Sequence, residues 1–311
     1  MAEKAIAGAE LNQNREATYP WIALGVLLLA LVYGYWNSLT EAATYWETAQ
    51  YSHGWLIPLF TVMLLWMRHE PLTPVPVKQR WYGVGMLGAA LSVRVLCANW
   101  GLDIPEMLTF VPAVLGVILM IGGWRMLRWA GPAAGFLIFM FPLPWTLEQG
   151  LLNPLQDFAT KVSTYALQTL GFGAYHEGNR IRIEDLQLGV VDACSGLRMT
   201  TIFLALSVAI VLVADRPWWE NLVILLSAIP IALAVNVTRI TVTGVLHMKV
   251  STELADKVFH NWAGWLMVPL ALILLWIEVM ILSNLFVEVE SEEIPMFGRA
   301  GAGVGRAASD K

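Results

Sequence analysis

Apolar runs of roughly membrane-spanning length recur from residue 21 to residue 286, and this recurrence constrains the fold more than any other feature of the chain. A bilayer has a hydrocarbon core about 30 Å thick, and a helix crosses it with about 20 apolar residues. The pattern predicts roughly eight spans, over residues 21–36, 54–67, 82–97, 107–121, 129–145, 195–214, 221–246 and 262–286. The second is short enough to be interfacial or re-entrant, and Pro142 and Pro144 end the fifth near Phe141. Composition leaves little room for a soluble domain of substantial size. Only 14% of residues are charged and mean hydropathy is +0.60, whereas a water-facing surface needs about 25% charge. Fifteen tryptophans suit aromatic belts at two bilayer interfaces.

Basic residues orient the spans. Lys4, Arg15, Arg68, Lys78, Arg80, Arg125, Arg128, Arg216, Arg299, Arg306 and Lys311 fall on one side, while the loops 37–52 and 98–106 hold no Lys or Arg. Both termini are therefore expected in the cytoplasm. The segment 1–15 is too polar and acidic for a cleaved signal peptide, so the first span is expected to remain as an anchor. The stretch from Lys161 to Lys257 breaks the rule by placing basic residues outside.

Residues 146–192 form the longest non-spanning stretch. Leu151, Leu155, Phe158, Val162 and Tyr165 recur at helical spacing and predict an amphipathic helix over 147–170, lying on the outer leaflet. Gly171-Phe-Gly stops it. Asn179-Arg-Ile-Arg-Ile and Leu186-Gln-Leu-Gly-Val-Val then alternate around Glu184-Asp185, the mark of a short β-hairpin. The expected fold is an all-α polytopic membrane bundle of about eight spans with an outer-leaflet amphipathic helix and short β-hairpin. A cytoplasmic segment (1–20) precedes the membrane domain (21–286), and a disordered cytoplasmic tail (287–311) follows it.

Chemistry-bearing residues cluster at the outer ends of three consecutive spans. Cys194 opens the sixth, where helix N–H groups favour a thiolate. Arg198, four residues on, adds positive potential on the same face. Arg239 interrupts the apolar seventh span, a placement that costs about 2.5 kcal/mol or more and is functional by default, with Asn236 one turn earlier. His260 precedes the eighth span, and His53 opens the second on the same side. Each residue alone has a plain reading: a packed cysteine or a disulfide to Cys97, a snorkelling arginine, an interfacial histidine. Together a thiol, a proton-transfer group and a cationic donor satisfy the roles of cysteine acyl transfer.

The Ala193-Cys-Ser-Gly-Leu core, the Asn236-Val-Thr-Arg element, and His260 followed by Gly264 resemble the three motifs of the exosortase/archaeosortase family. Tyr51-Ser-His-Gly, followed by an apolar span and Arg68, resembles its N-terminal half, so the similarity covers roughly residues 21–285. The resemblance implies a multi-pass protein of the bacterial inner membrane, with its site facing the periplasm. It implies a thiol protease or transpeptidase that cleaves a C-terminal sorting signal of exported proteins. That signal comprises a Pro-Glu-Pro-like motif, a transmembrane helix and a basic cluster. Carried onto this chain, Cys194 is the nucleophile, His260 the general acid/base and Arg239 the stabiliser of the tetrahedral intermediate, with no cofactor or metal. Expected partners are signal-bearing exported proteins and membrane lipids, and no nucleic acid. Some members of the family carry a long C-terminal extension tied to surface polysaccharide systems; residues 287–311 are a short tail, so no such link is expected. Competing readings are a transporter whose polar path is lined by Arg239, His53 and His260, a serine protease using Ser195 without a Gly-x-Ser-x-Gly frame, and a subunit without chemistry.

Overall fold

The computed structural model describes residues 19–48, 51–71, 74–184, 186–189, 196–214, 216–250 and 263–285. Helix α1 (Tyr19–Gly34) bends by 71° into α2 (Trp36–Trp46). The break is Tyr35, whose backbone leaves the helical region at φ −97° and ψ 13°. The Tyr35 hydroxyl lies 2.8 Å from Thr109 Oγ1. Residues 37–46, expected as loop, are thus helical. They bury Ser38, Ala42 and Trp46 at successive turns of one face, and Trp46 Nε1 donates to the Met140 carbonyl at 2.6 Å.

A 3-10 turn (Ser52–Trp55) leads into α3 (Leu56–Met67), followed by α4 (Val77–Asn99), the short α5 (Asp103–Leu108) and α6 (Phe110–Gly135). A second 3-10 turn (Phe136–Met140) ends in extended backbone at Phe141, so the proline-bounded stop expected there is observed. By length and apolarity alone, three helical stretches are able to cross a bilayer: Val77–Asn99, Asp103–Met140 and Trp218–Lys249. The bent α1–α2 pair makes a fourth, and Ser52–Met67, Thr200–Val213 and Leu272–Asn284 are shorter apolar helices. The hydropathy pattern predicts about eight crossings, so the described helices are fewer or shorter than that count.

The stretch Asp103–Met140 is not straight. Gly123, at φ 64° and ψ −165°, adopts a conformation open in practice to glycine alone, and the chain folds back there. Phe110 and Phe141 prove it: their ring centroids are 6.1 Å apart, whereas an unbroken helix would separate them by about 46 Å. The first arm of α6 packs along α4, where side-chain-free surface permits close approach. A Cβ at Gly83 would collide with the Met120 backbone, and one at Gly116 would lie 2.8 Å from the Leu87 nitrogen. The second arm returns along α3, pairing Trp129 with His69 near one end and Phe136 with Phe60 further on. Leu29, Leu59, Trp66 and Val95 remain exposed on the outside of these helices. In water that would be an adhesive surface, and in a bilayer it is the lipid face.

Helix α7 (Trp145–Thr169) follows, then strands β1 (Ala174–Glu177), β2 (Arg180–Ile183) and β3 (Leu186–Gly189), and helices α8 (Gly196–Val213), α9 (Trp218–Lys249) and α10 (Ala263–Leu285). The expected two-stranded hairpin is a three-stranded antiparallel meander in the order β1-β2-β3. The added strand closes through Gly178-Asn179, with Gly178 at φ 57°, a two-residue hairpin loop that pairs Glu177 with Arg180. Helix α7 occupies the predicted range, with its alanine, serine and threonine side turned inward. Ala159, Thr160, Ser163, Thr164 and Leu167 are buried, while Phe158 and Tyr165 are exposed. Small residues let α7 approach α9 closely. The threonine hydroxyls lose little on burial, because Thr160 and Thr164 donate to the carbonyls of Gln156 and Thr160, both at 2.8 Å.

Helix α9 runs antiparallel to both α8 and α10. Arg216 donates to Ser283 at 3.1 Å and Ser227 to Glu278 at 2.7 Å near the start of α9. Phe203, Ala232 and Val235, joined by Leu270 and Leu274, form the core among the three helices.

Candidate active site

The site is built on the inward face of α9, where Ala232, Val235, Asn236, Arg239, Ile240, Thr243 and Gly244 are buried in a helical stripe. Arg239 is only 8% exposed and Asn236 only 5%. A snorkelling arginine would hold its head in the solvated interface, so this burial disfavours the simplest structural reading of Arg239. The Asn236 Oδ1 is buried without a hydrogen-bond partner, an acceptor for which the described residues supply no donor.

Antiparallel packing sets what lies beside this pair. From the Phe203–Val235–Leu270 contact layer, Arg239 is one turn further along α9, about 6 Å. The first residues of α8 and α10, Gly196 and Ala263, are each two turns from the same layer in the same direction, about 11 Å. The described parts of α8 and α10 therefore begin within about 5 Å of the level of Arg239. In the sequence, α8 starts two residues after Cys194 and α10 three residues after His260. Cys194 and His260 themselves lie outside the described residues, and Arg198 falls in the first turn of α8.

The meander and α7 cover this end of α9. Ile181 and Ile183 of β2 are fully buried against Ala159, Leu167 and Ile240, with Val237, Val245 and Met248 around them. A Cβ on Gly244 would stand 3.0 Å from Leu167 and 3.2 Å from Ile183, so α9 meets the cover at contact distance. Arg180 and Arg182 alternate with the two isoleucines onto the opposite, more open face.

His53 sits in the N-terminal half, hydrogen-bonded to the Phe139 backbone and beside Tyr51, with ring centroids 6.3 Å apart. Cys97 is a buried free thiol in α4, and a disulfide to Cys194 falls outside the described residues. A second polar cluster escaped the reading of the sequence. Arg94 lies 4.0 Å over the Tyr35 ring and 3.2 Å from Glu106 Oε1, and Ser38 Oγ donates to the same carboxylate at 2.9 Å. The signal was present, since Arg94 is an ionisable residue inside a predicted span, as Arg239 is. Its partners are all in place, so it clamps α2, α4 and α5 together. Among the described residues, no group of three or more His, Cys, Asp or Glu is disposed to hold a metal ion.

No curated protein and no solved structure matches the chain. The family described as Transmembrane exosortase (Exosortase_EpsH) matches residues 45–277, which runs from the end of α2 into α10 and includes every candidate residue above. With that match over well more than half its length, the chain belongs to the transmembrane exosortase family, membrane proteins known generally as sorting transpeptidases.

Proposed function

We propose that this protein is a cysteine transpeptidase of the bacterial inner membrane, with about eight passes, both termini inside and its site at the outer leaflet. The observation that supports the reading is buried Arg239 at a level close to Gly196 and Ala263, the first described residues of α8 and α10, which Cys194 and His260 precede in the sequence by two and three positions. The substrate is an exported protein with a C-terminal sorting signal, held by its own transmembrane helix so that the cleavable bond meets this level.

The Cys194 thiolate attacks the scissile carbonyl carbon, and Arg239 donates hydrogen bonds to the oxyanion that forms. Collapse of the intermediate breaks the C–N bond as His260 delivers a proton to the departing amine. The thioester left on Cys194 is then attacked by an acceptor nucleophile, whose proton passes to His260 as the thiolate leaves. Asn236, with its buried acceptor oxygen, orients the guanidinium or the substrate amide beside it. Strand β3 is an edge of the sheet and precedes Cys194 by five residues in the sequence, so an extended signal peptide adds to it as a further strand.

Co-expression with a signal-bearing reporter tests the reading. Cys194→Ala, Arg239→Ala and His260→Ala should each abolish processing while the protein still inserts, and wild-type Cys194 should react with iodoacetamide at an apparent pKa well below about 8.5. Undiminished processing by Cys194→Ala would leave the transporter reading in its place.

A further inference from the structure

In the N-terminal half the helices enclose a groove of about 780 Å³ between α1, α2, α3 and both arms of α6. Its walls, among them Trp21, Leu28, Val62, Leu65 and Ile118, are apolar. Along α1 it extends from Trp21 to Val32, about 17 Å, which matches the ~15 Å depth of one leaflet. His69 closes the lower end, stacked on Trp21 with centroids 5.5 Å apart and edge-on to Trp129 at 6.4 Å. Immediately beyond Trp129, which lines both spaces, lies a second pocket of about 620 Å³ made by Arg68, Glu70, Arg125 and Arg128. Arg125 pairs with Glu70 at 3.2 Å, so three arginines face one carboxylate and a net positive pocket remains.

An apolar slot deep enough for an acyl chain, ending in aromatic rings and then in a cationic pocket, has the polarity sequence of a phospholipid. We propose that this site binds an anionic phospholipid, with its phosphate among Arg68, Arg125 and Arg128 and its acyl chains in the groove. Basic pockets between membrane helices at the positively flanked side capture such headgroups, and this end of the bundle carries the chain's densest arginines. The arginines also decide against the other elongated apolar occupant, a partner's transmembrane helix ending in a basic cluster, because like charges would meet at the pocket. The site is separate from the Arg239 level and does not rest on the proposed chemistry.

The test uses the full-length chain purified in mild detergent. Native mass spectrometry counts retained lipid, and thermal melts are run with added phosphatidylglycerol, phosphatidylcholine of the same chains, or inorganic phosphate. Phosphatidylglycerol should be retained and should raise Tm, phosphatidylcholine and phosphate should do neither, and the effect should fade with salt. At about fivefold per arginine, the triple variant Arg68→Gln/Arg125→Gln/Arg128→Gln should lose affinity about 100-fold. Val62→Trp, at an exposed groove position, should block binding with the arginines intact. Equal retention of the two lipids by wild type overturns the proposal, even if the triple variant fails to fold. So does full stabilisation by phosphate alone, or unchanged phosphatidylglycerol binding in both variants.

Discussion

The fold-back at Gly123 makes a prediction whose sign, as well as its size, discriminates. In Gly123→Ala the new Cβ stands 2.5 Å from Gln79 Oε1 and 3.0 Å from Val75 Cγ1, at a φ of 64°. A non-glycine residue in this backbone region costs about 1–3 kcal/mol. The Gln79 oxygen accepts the Trp124 N–H at 3.3 Å, and displacing it removes a bond worth about 1 kcal/mol. Alanine stiffens the unfolded chain and returns about 0.4–1 kcal/mol, leaving a net loss of about 2 kcal/mol. Gly88→Ala in α4 is the control, since nothing lies within 4 Å of its Cβ and a helical alanine gains up to about 1 kcal/mol. Thermal unfolding in detergent should therefore show Tm falling for the first variant and holding or rising for the second. If α6 were one continuous helix through residue 123, both substitutions would stabilise. A Tm for Gly123→Ala at or above that of Gly88→Ala refutes the reversal and the antiparallel arms built on it.

Four further outcomes follow from the packing. Gly116→Ala places a Cβ 2.8 Å from the Leu87 backbone and should cost about 1–3 kcal/mol by parting α4 from α6, read from the same melts. Ile183→Ala removes a fully buried side chain beneath the sheet and should cost about 2–4 kcal/mol and impair reporter processing. Arg182→Ala, which removes an exposed pair to Glu177 at 3.5 Å and a side-chain hydrogen bond to Tyr175, should leave Tm nearly unchanged. Gln187→Pro removes an edge N–H that points away from β2, since the Arg182–Gln187 pair is the non-hydrogen-bonded one beside the two-residue turn. It should leave Tm nearly unchanged and slow processing at least tenfold, and an unchanged rate would remove β3 as the peptide-binding edge.

The sequence made the membrane class legible because hydrophobic run length is a direct physical requirement of the bilayer. It also marked the proline stop near Phe141 and the position of α7. It left open which face of α7 meets the protein, because periodicity identifies an amphipathic helix without saying whether lipid or protein takes its apolar side. It missed α2, whose buried Ser38, Ala42 and Trp46 read as a mixed polar loop until Met140 supplies the carbonyl that Trp46 needs. Strand β1 was missed because Ala174–Glu177 has too little apolar alternation to stand out, and its register comes from the Gly178 turn. Arg239 was legible as an intramembrane charge. That it faces the bundle interior required the antiparallel packing of α8, α9 and α10, which no local pattern encodes.

The central claim, acyl transfer through Cys194, is tested most directly by trapping the intermediate. The purified chain would be mixed with a signal-bearing substrate, quenched in acid and examined by intact and peptide mass spectrometry. The account predicts a substrate fragment on the peptide containing Cys194, released by hydroxylamine, absent in Cys194→Ala and sharply reduced in Arg239→Ala. Substrate cleaved at full rate with no adduct on that peptide, or an adduct on another residue, would contradict it.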